Sequence, residues 1–393
     1  MTQQDALCRA VCEHPGEDVP RLIFADHLEE HGDARRAAFI RTQVELARVP
    51  EHDPFHVQTR RRNPDAIRGW SMAHTLPALP AGVSWRRFQF RRGFPWLASV
   101  TSLDELLQHG DRLFERAPIQ ALELSHECGT DASWNRFTDW PHLAKLTRLE
   151  LTHTRLGAEA IRRLCHSPYA LQLRELIFDG HAITGDGLQA LAESKLFPRL
   201  RRLEVQHAAL APALALGALA SAPPGLCELV LADGKFPGTD LAWLLNHPIA
   251  ERLVSLDLSG NPIRAEGVSA VMKHCHELRS LRLRQTALRL SGIRELCRRE
   301  GEAPAEPRLP SQREVGSAGA SPSRSNALRL LDLSASRLGL ASAKLLAESP
   351  HLRELVELDV RECDFGDSLA LLQARFGDAL RADSSSPGSR TSG

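Results

Sequence analysis

Leu253-Val-Ser-Leu-Asp-Leu-Ser-Gly-Asn-Pro-Ile263 decides how this chain folds. Leu256 and Leu258 alternate with Ser255, Asp257 and Ser259, the period of a strand with one buried face. Asn261 stands where the chain must turn, and its side chain can bond backbone groups that the strand leaves unpaired. From Ala265 to His274 the spacing becomes helical, with Val268, Val271 and Met272 on one side. The unit recurs. Its first apolar position falls at Ile119, Leu146, Leu173, Leu200, Leu226, Leu253, Leu278, Leu328 and Leu355, in steps of 27, 27, 27, 26, 27, 25, 50 and 27 residues. Ten positions after each start from Leu146 stand Leu156, Ile183, Leu210, Phe236, Ile263, Leu288, Leu338 and Phe365, so the register holds. The turn position carries Thr154, His181, Ala208, Gly234, Asn261, Thr286, Ser336 and Cys363. Thr, Ser and Cys partly replace Asn; Ala208 and Gly234 cannot, which predicts looser turns in those two units.

A single unit cannot stand alone. Fixing one residue's backbone costs roughly 1–2 kcal/mol, while an apolar side chain returns roughly 1.5–3 kcal/mol only when fully buried. Stacking on neighbours is therefore obligatory. The pattern L-x-x-L-x-L-x-x-N-x-I, with a period near 27 and a helix in each unit, resembles the ribonuclease-inhibitor-like class of leucine-rich repeats. That resemblance implies an α/β solenoid of about ten repeats, a horseshoe with a parallel sheet on the concave face and helices on the convex face. Ile161 and Leu164, Leu188 and Leu191, Leu241 and Leu244, Val268 and Val271, Ile293 and Leu296, and Leu345 supply the helices' buried sides. The long step of 50 holds Glu300 to Asn326, rich in Gly, Ala, Pro and Ser and without periodicity, which reads as a disordered insertion at about 300–326.

Residues 1–50 form a helical unit of their own. Asp5 to Glu13 offers Leu7, Ala10 and Val11; Pro20 to His31 offers Leu22, Ile23, Ala25 and Leu28, with Gly32 placed to end it; Ala34 to Arg48 presents Ala38, Phe39, Val44 and Leu46. Pro20-Arg-Leu-Ile-Phe-Ala-Asp-His-Leu-Glu-Glu-His-Gly-Asp33, then Phe39-Ile-Arg-Thr-Gln-Val-Glu-Leu-Ala47, resembles the short repeat-companion domain that precedes leucine-rich repeats in bacterial proteins. The family pattern has Trp where this chain has His27. The resemblance implies an N-terminal helical cap and carries no activity with it. Residues 51–118 are a transition and an irregular first repeat, in which Trp70, Met72 and Leu76 pack as a helix. Trp85-Arg-Arg-Phe-Gln-Phe-Arg-Arg-Gly-Phe94 reads as the first strand and Leu103, Leu106, Leu107, Leu113 and Phe114 as its helix. Repeats fill 119–380, and a Ser-rich tail, 381–393, is expected to be disordered.

Lysine plus arginine equal aspartate plus glutamate at 49 each, so bulk charge makes no demand for nucleic acid or an anionic membrane. No apolar run approaches the roughly 18 residues of a membrane span, and the N-terminus lacks the features of a secretory signal. Eight scattered cysteines form no C-x-x-C pair, which fits reduced thiols in the cytoplasm; Cys165 and Cys297 follow helix-face leucines as small buried hydrophobes.

Four constellations bear on function. His27-Leu-Glu-Glu-His31 fits H-x-x-E-H, a zinc-hydrolase motif, but Gly32 stops the helix at once and no third ligand is apparent. His274-Cys-His276 lacks two further ligands. Arg86, Arg87, Arg91 and Arg92 interleaved with Phe88, Phe90 and Phe94, near Arg60 to Arg62, form the best nucleic-acid signal, against the plainer reading of core phenylalanines and solvated arginines. The fourth is the strand face. Between the two buried leucines of successive strands lie Glu123, Glu150, Ile177, Glu204, Val230, Asp257, Arg282, Asp332 and Asp359. Adjacent strands lie about 4.8 Å apart, so such a column concentrates negative potential. The expectation is a non-catalytic protein-interaction scaffold with no cofactor or metal. It contacts a partner, one with a basic surface, through Glu123, Glu150, Glu204, Asp257, Asp332 and Asp359. The alternative is a nucleic-acid- or ribosome-associated factor using segment 86–94.

Overall fold

The computed structural model describes residues 2–86, 89–125, 128–154, 157–180, 182–207, 212–221, 225–298 and 328–383. The insertion at 300–326 and the tail from 384 lie outside the described residues, as do Arg87, Phe88, Leu156, His181, Ala208 and Leu210.

Among the described residues, twelve strands make one sheet whose order follows the chain. Leu97–Val100 pairs in parallel with Ala121–Ser125, and parallel pairing continues strand by strand to Leu380–Arg381. Parallel neighbours need a crossover connection, and here each is supplied by a helix on one face of the sheet. The register places Leu122, Leu149, Leu176, Leu203, Leu229, Leu256, Leu281, Leu331 and Leu358 side by side, all buried. Successive helices pack on one another in the same order, so one core runs from Ala98 to Leu372. This is the long sheet and helix layer of a solenoid. Every repeat-start residue from Ile119 to Leu355 is buried, as are Ile183, Phe236, Ile263, Leu288, Leu338 and Phe365. The helix Leu340–Glu348 differs from expectation: it buries Ala343 and Leu346 and leaves Leu345 only partly covered.

The first strand is corrected more substantially. Trp85 to Phe94 is not one strand. Val83–Trp85 pairs antiparallel with Leu97–Val100, and Phe90–Arg91 turns back on Phe94–Pro95 as a separate hairpin. The cause is packing: Phe94 leaves the solenoid and enters the core of the N-terminal helices with Val11, Phe24, Ala25, Leu28, Ala37, Ile40 and Val44. Gly93 makes this possible. Its φ is +80°, and a Cβ there would lie 2.5 Å from Ile40.

The N-terminal helices span Gln3–Glu13, Val19–Glu30 and Ala34–Arg48. Two expected core positions are exposed, Ile23 and Ala38; Phe24, Ala37 and Ile40 are buried instead, in the core that Phe94 joins. Arg21 is buried instead of solvated. Its guanidinium donates to the carbonyls of Glu17 and Pro15 at 2.7 and 2.9 Å, and burial draws its pKa down to about 10, so it stays charged at neutral pH.

The turn position sorts by chemistry. Asn261 is 1% exposed; its amide donates to the carbonyls of Leu231, Leu258 and Ser259, and its oxygen accepts from the Phe236 amide at 3.0 Å. Thr286 donates to Leu283 O at 2.7 Å and Cys363 to Leu333 O at 3.2 Å. Thr154 and Ser336 do not substitute: both hydroxyls are buried without a partner among the described residues. Ser336→Ala removes an unsatisfied hydroxyl, so it is expected to leave stability unchanged or raise it by up to about 1 kcal/mol. Urea denaturation that showed a loss of that size would contradict this.

Candidate protein-interaction surface

The acidic column lies on the sheet face away from the helices, and most of it is covered. Glu123, Glu150, Glu204 and Asp359 are each at most 8% exposed. Arg86 reaches Glu123 at 3.0 Å and also binds Glu150. Arg148 holds Glu150 at 2.7 Å, and Arg202 binds Glu204, which also accepts from Gln206 at 2.7 Å. Arg361 clamps Asp359 with its closest contact at 2.6 Å. Burial raises the Asp359 pKa, but the hydrogen bonds from Arg361 outweigh it and hold the carboxyl below its ordinary value. The six carboxylates expected to contact a partner are thus not equally open. Four are neutralised by the chain's own arginines, because a row of like charges on adjacent strands is costly unless paired.

Asp257 and Asp332 are the exceptions, each half-buried with Arg282 between them in register. Each accepts a backbone amide two residues on, Ser259 at 2.9 Å and Ser334 at 2.8 Å. Burial pushes the Asp257 pKa up. Beside them Arg60, Arg282, Asp332, Asp359, Arg361 and Arg381 line a recess of about 150 Å³.

The N-terminal segment covers the sheet here, attached by arginines that the sequence offered as a nucleic-acid signal. Arg60 donates to both oxygens of Glu357 at 2.7 and 2.8 Å. Arg61 donates to Glu357 and to the carbonyls of Val356, Asp378 and Ala379. Burial would raise the Glu357 pKa, but Arg60, Arg381 and Arg61 together hold it low. Glu51 faces Arg282 at 3.6 Å. The segment from Glu51 to Arg86 therefore touches strands near both ends of the sheet.

The described part of the segment with the nucleic-acid signal, residue 86 and residues 89–94, is engaged internally. Arg91 lies over the Trp96 ring at 4.9 Å, and Arg92 pairs with Asp18 at 3.3 Å. Phe90 packs with Phe39 and Met72. The H-x-x-E-H pair also has another explanation: His27 is buried, and His31 Nδ1 lies 2.7 Å from the His27 carbonyl oxygen. Among the described residues no group of three or more His, Cys, Asp or Glu side chains is placed to hold a metal. Cys275, between His274 and His276, is fully buried, and burial pushes its thiol up to about 12.

The family pattern described as Leucine Rich repeat matches residues 172–192 and 253–272. Each match begins just before a strand, Glu175–Asp179 or Ser255–Asp257, and runs into the following helix. The chain carries leucine-rich repeats. A chain in the crystal structure of the Rad7 and Elc1 complex in yeast is similar at 12% identity and a TM-score of 0.48, over 92% of this chain and 96% of that one. No curated protein sequence matches. No helix among the described residues of this leucine-rich-repeat chain is long and apolar enough to cross a membrane.

Proposed function

We propose that this chain is a non-catalytic protein-interaction module of the bacterial cytoplasm, in which the leucine-rich-repeat sheet is the contact surface. The observation that carries the reading is the stacked sheet with Asp257, Arg282 and Asp332 side by side and half-buried, Arg282 also facing Glu51 of the N-terminal segment. Side chains at one register position on neighbouring strands form a rigid row, and rigid rows are what solenoids offer to partners. In this reading Asp257 and Asp332 touch the partner, while Glu123, Glu150, Glu204 and Asp359 hold the arginines around them in place. The repeat scaffold supplies binding and no reaction chemistry. All eight cysteines are free thiols, which supports a reducing compartment.

Affinity capture with Asp257→Asn combined with Asp332→Asn tests the contact. Both substitutions keep an acceptor for the backbone amides while removing charge. Capture of the wild type's partner is expected to weaken about tenfold, in line with loss of charge-assisted contacts; unchanged capture sinks the assignment. The nucleic-acid reading gains support only if an oligonucleotide is bound and Arg86→Ala lowers the salt dependence of that binding.

A further inference from the structure

A cleft of about 690 Å³ opens between the N-terminal helices and the edge of the sheet where the strands begin. Seven arginines face it against three carboxylates, Glu51, Glu175 and Glu228, an excess that Asp18, Glu150 and Glu204 outside the lining partly offset through Arg92, Arg148 and Arg202. The chain as a whole has no such excess. The repeat builds this imbalance from two adjacent columns. At the first strand position Arg148 pairs with Glu175 at 3.0 Å and Arg202 with Glu228 at 2.6 Å, so that column cancels. One position earlier stand Arg174 and Arg201, whose backbones join in register, Arg201 N to Arg174 O at 2.7 Å. Among the described residues neither has a carboxylate partner. Arg174 donates to the carbonyls of Leu171 and Leu173, and the Arg201 side chain is exposed.

Glu51 is a carboxylate already standing at this cleft. It enters from the loop after the third N-terminal helix, and its side-chain carboxylate faces Arg282, which lies outside the cleft's lining. It is nonetheless 62% exposed, so water screens the contact and the carboxylate is held weakly. The aromatic surface in the cleft is already used: Trp96 is covered by Arg91 and Arg148, at 4.9 and 5.7 Å from its ring. Among the described residues, stacking of nucleic-acid bases has no free ring there, whereas carboxylates need only the guanidinium donors.

We propose that this cleft receives an acidic peptide segment of the partner, anchored by Arg174 and Arg201, and that Glu51 is a built-in carboxylate which the peptide displaces. The inference rests on the protein-interaction reading and adds to it: Glu123, Glu150, Glu204 and Asp359 are spent internally, and the cleft gives the same partner a basic site besides Asp257 and Asp332.

Fluorescence anisotropy of the full chain with labelled deca-glutamate tests this. Wild type binds deca-glutamate in preference to deca-lysine, and binding weakens with salt. Arg174→Ala with Arg201→Ala weakens it about tenfold, whereas Arg162→Ala with Arg163→Ala, on an outer helix, leaves it unchanged. Glu51→Gln acts in the opposite direction and tightens it about threefold, which no folding defect would do. Absence of deca-glutamate binding, equal weakening by the outer-helix variant, or tighter binding of a deca-thymidine oligonucleotide overturns the proposal. If the wild type captures a partner and the Arg174→Ala, Arg201→Ala variant captures it equally, the interaction reading stands and the acidic-peptide cleft falls. If the wild type captures nothing, that reading falls, and deca-glutamate still decides the cleft.

Discussion

Glu357→Ala is expected to release the N-terminal segment from the last repeats and to cost about 3 kcal/mol, the loss typical of breaking a buried ion pair from one side. The Glu357 side chain is 11% exposed and faces Arg60, Arg61 and Arg381. Removing it leaves three guanidinium groups crowded together, with Arg381 keeping Asp359 at 3.9 Å. Glu357→Gln keeps an acceptor for one donor and loses less. Denaturant unfolding gives the magnitude, and limited proteolysis locates it: cleavage between residues 50 and 86 rises first if this contact is the attachment. A variant as protease-resistant and as stable as the wild type shows that Arg60 and Arg61 contribute nothing. Acid gives the same result without mutation. The folded pKa values of Glu357 and Asp359 lie below their ordinary ones, so the stabilisation is fully present above the unfolded values, about 4.3 and 3.9. It is lost as pH falls through the lower folded values. Asp257 works the other way: its raised pKa favours the folded state at low pH, an advantage lost as pH rises through that value. Proteolytic release of the N-terminal segment is therefore expected below about pH 4, and the Glu357→Ala variant should no longer show that transition.

Asn261→Ala carries the second large effect. Three carbonyls and one amide in two adjacent repeats share this side chain, which is 1% exposed. A buried group left without a partner costs about 1–3 kcal/mol. With some relaxation of the turn, the total is expected near 3 kcal/mol. Asn261→Asp separates hydrogen bonding from shape. A carboxylate still accepts from Phe236 but donates to none of the carbonyls of Leu231, Leu258 and Ser259, and it adds charge against them. Thermal unfolding should find Asp no better than Ala. An Asp variant close to wild type would mean that the Phe236 contact alone matters. Thr286→Val, which breaks one bond at the equivalent position, gives the scale for a single contact.

The repeat scaffold was legible because its rule is local. Leu256 and Leu258 read as a strand on their own spacing, the steps near 27 carried that reading to the strands from Ala121–Ser125 to Glu357–Asp359, and stacking is the only way such units bury their leucines. The hairpin at Phe90 to Pro95 was misread for the same reason. Its alternation is real, but the partner for Phe94 is a core built from residues 11 to 44, which no local period announces. The candidate site was half legible. Asp257 and Asp332 keep the half-open position that alternation gave them, and the pre-strand arginines 174 and 201 stand one repeat apart, a column open to the same reading as the leucines.

The sequence by itself determined the order of the strands, the row of buried leucines and the identity of the residues on the opposite face. Only the tertiary structure decided which of those residues are free. Arg60 and Glu357 are 297 positions apart, and Arg86 and Glu150 are 64 apart. Apolar burial follows from spacing along one element, since any neighbour of the right shape will cover a leucine. Ion pairing depends on which particular charge arrives opposite, and that is set when the N-terminal helices dock across the sheet.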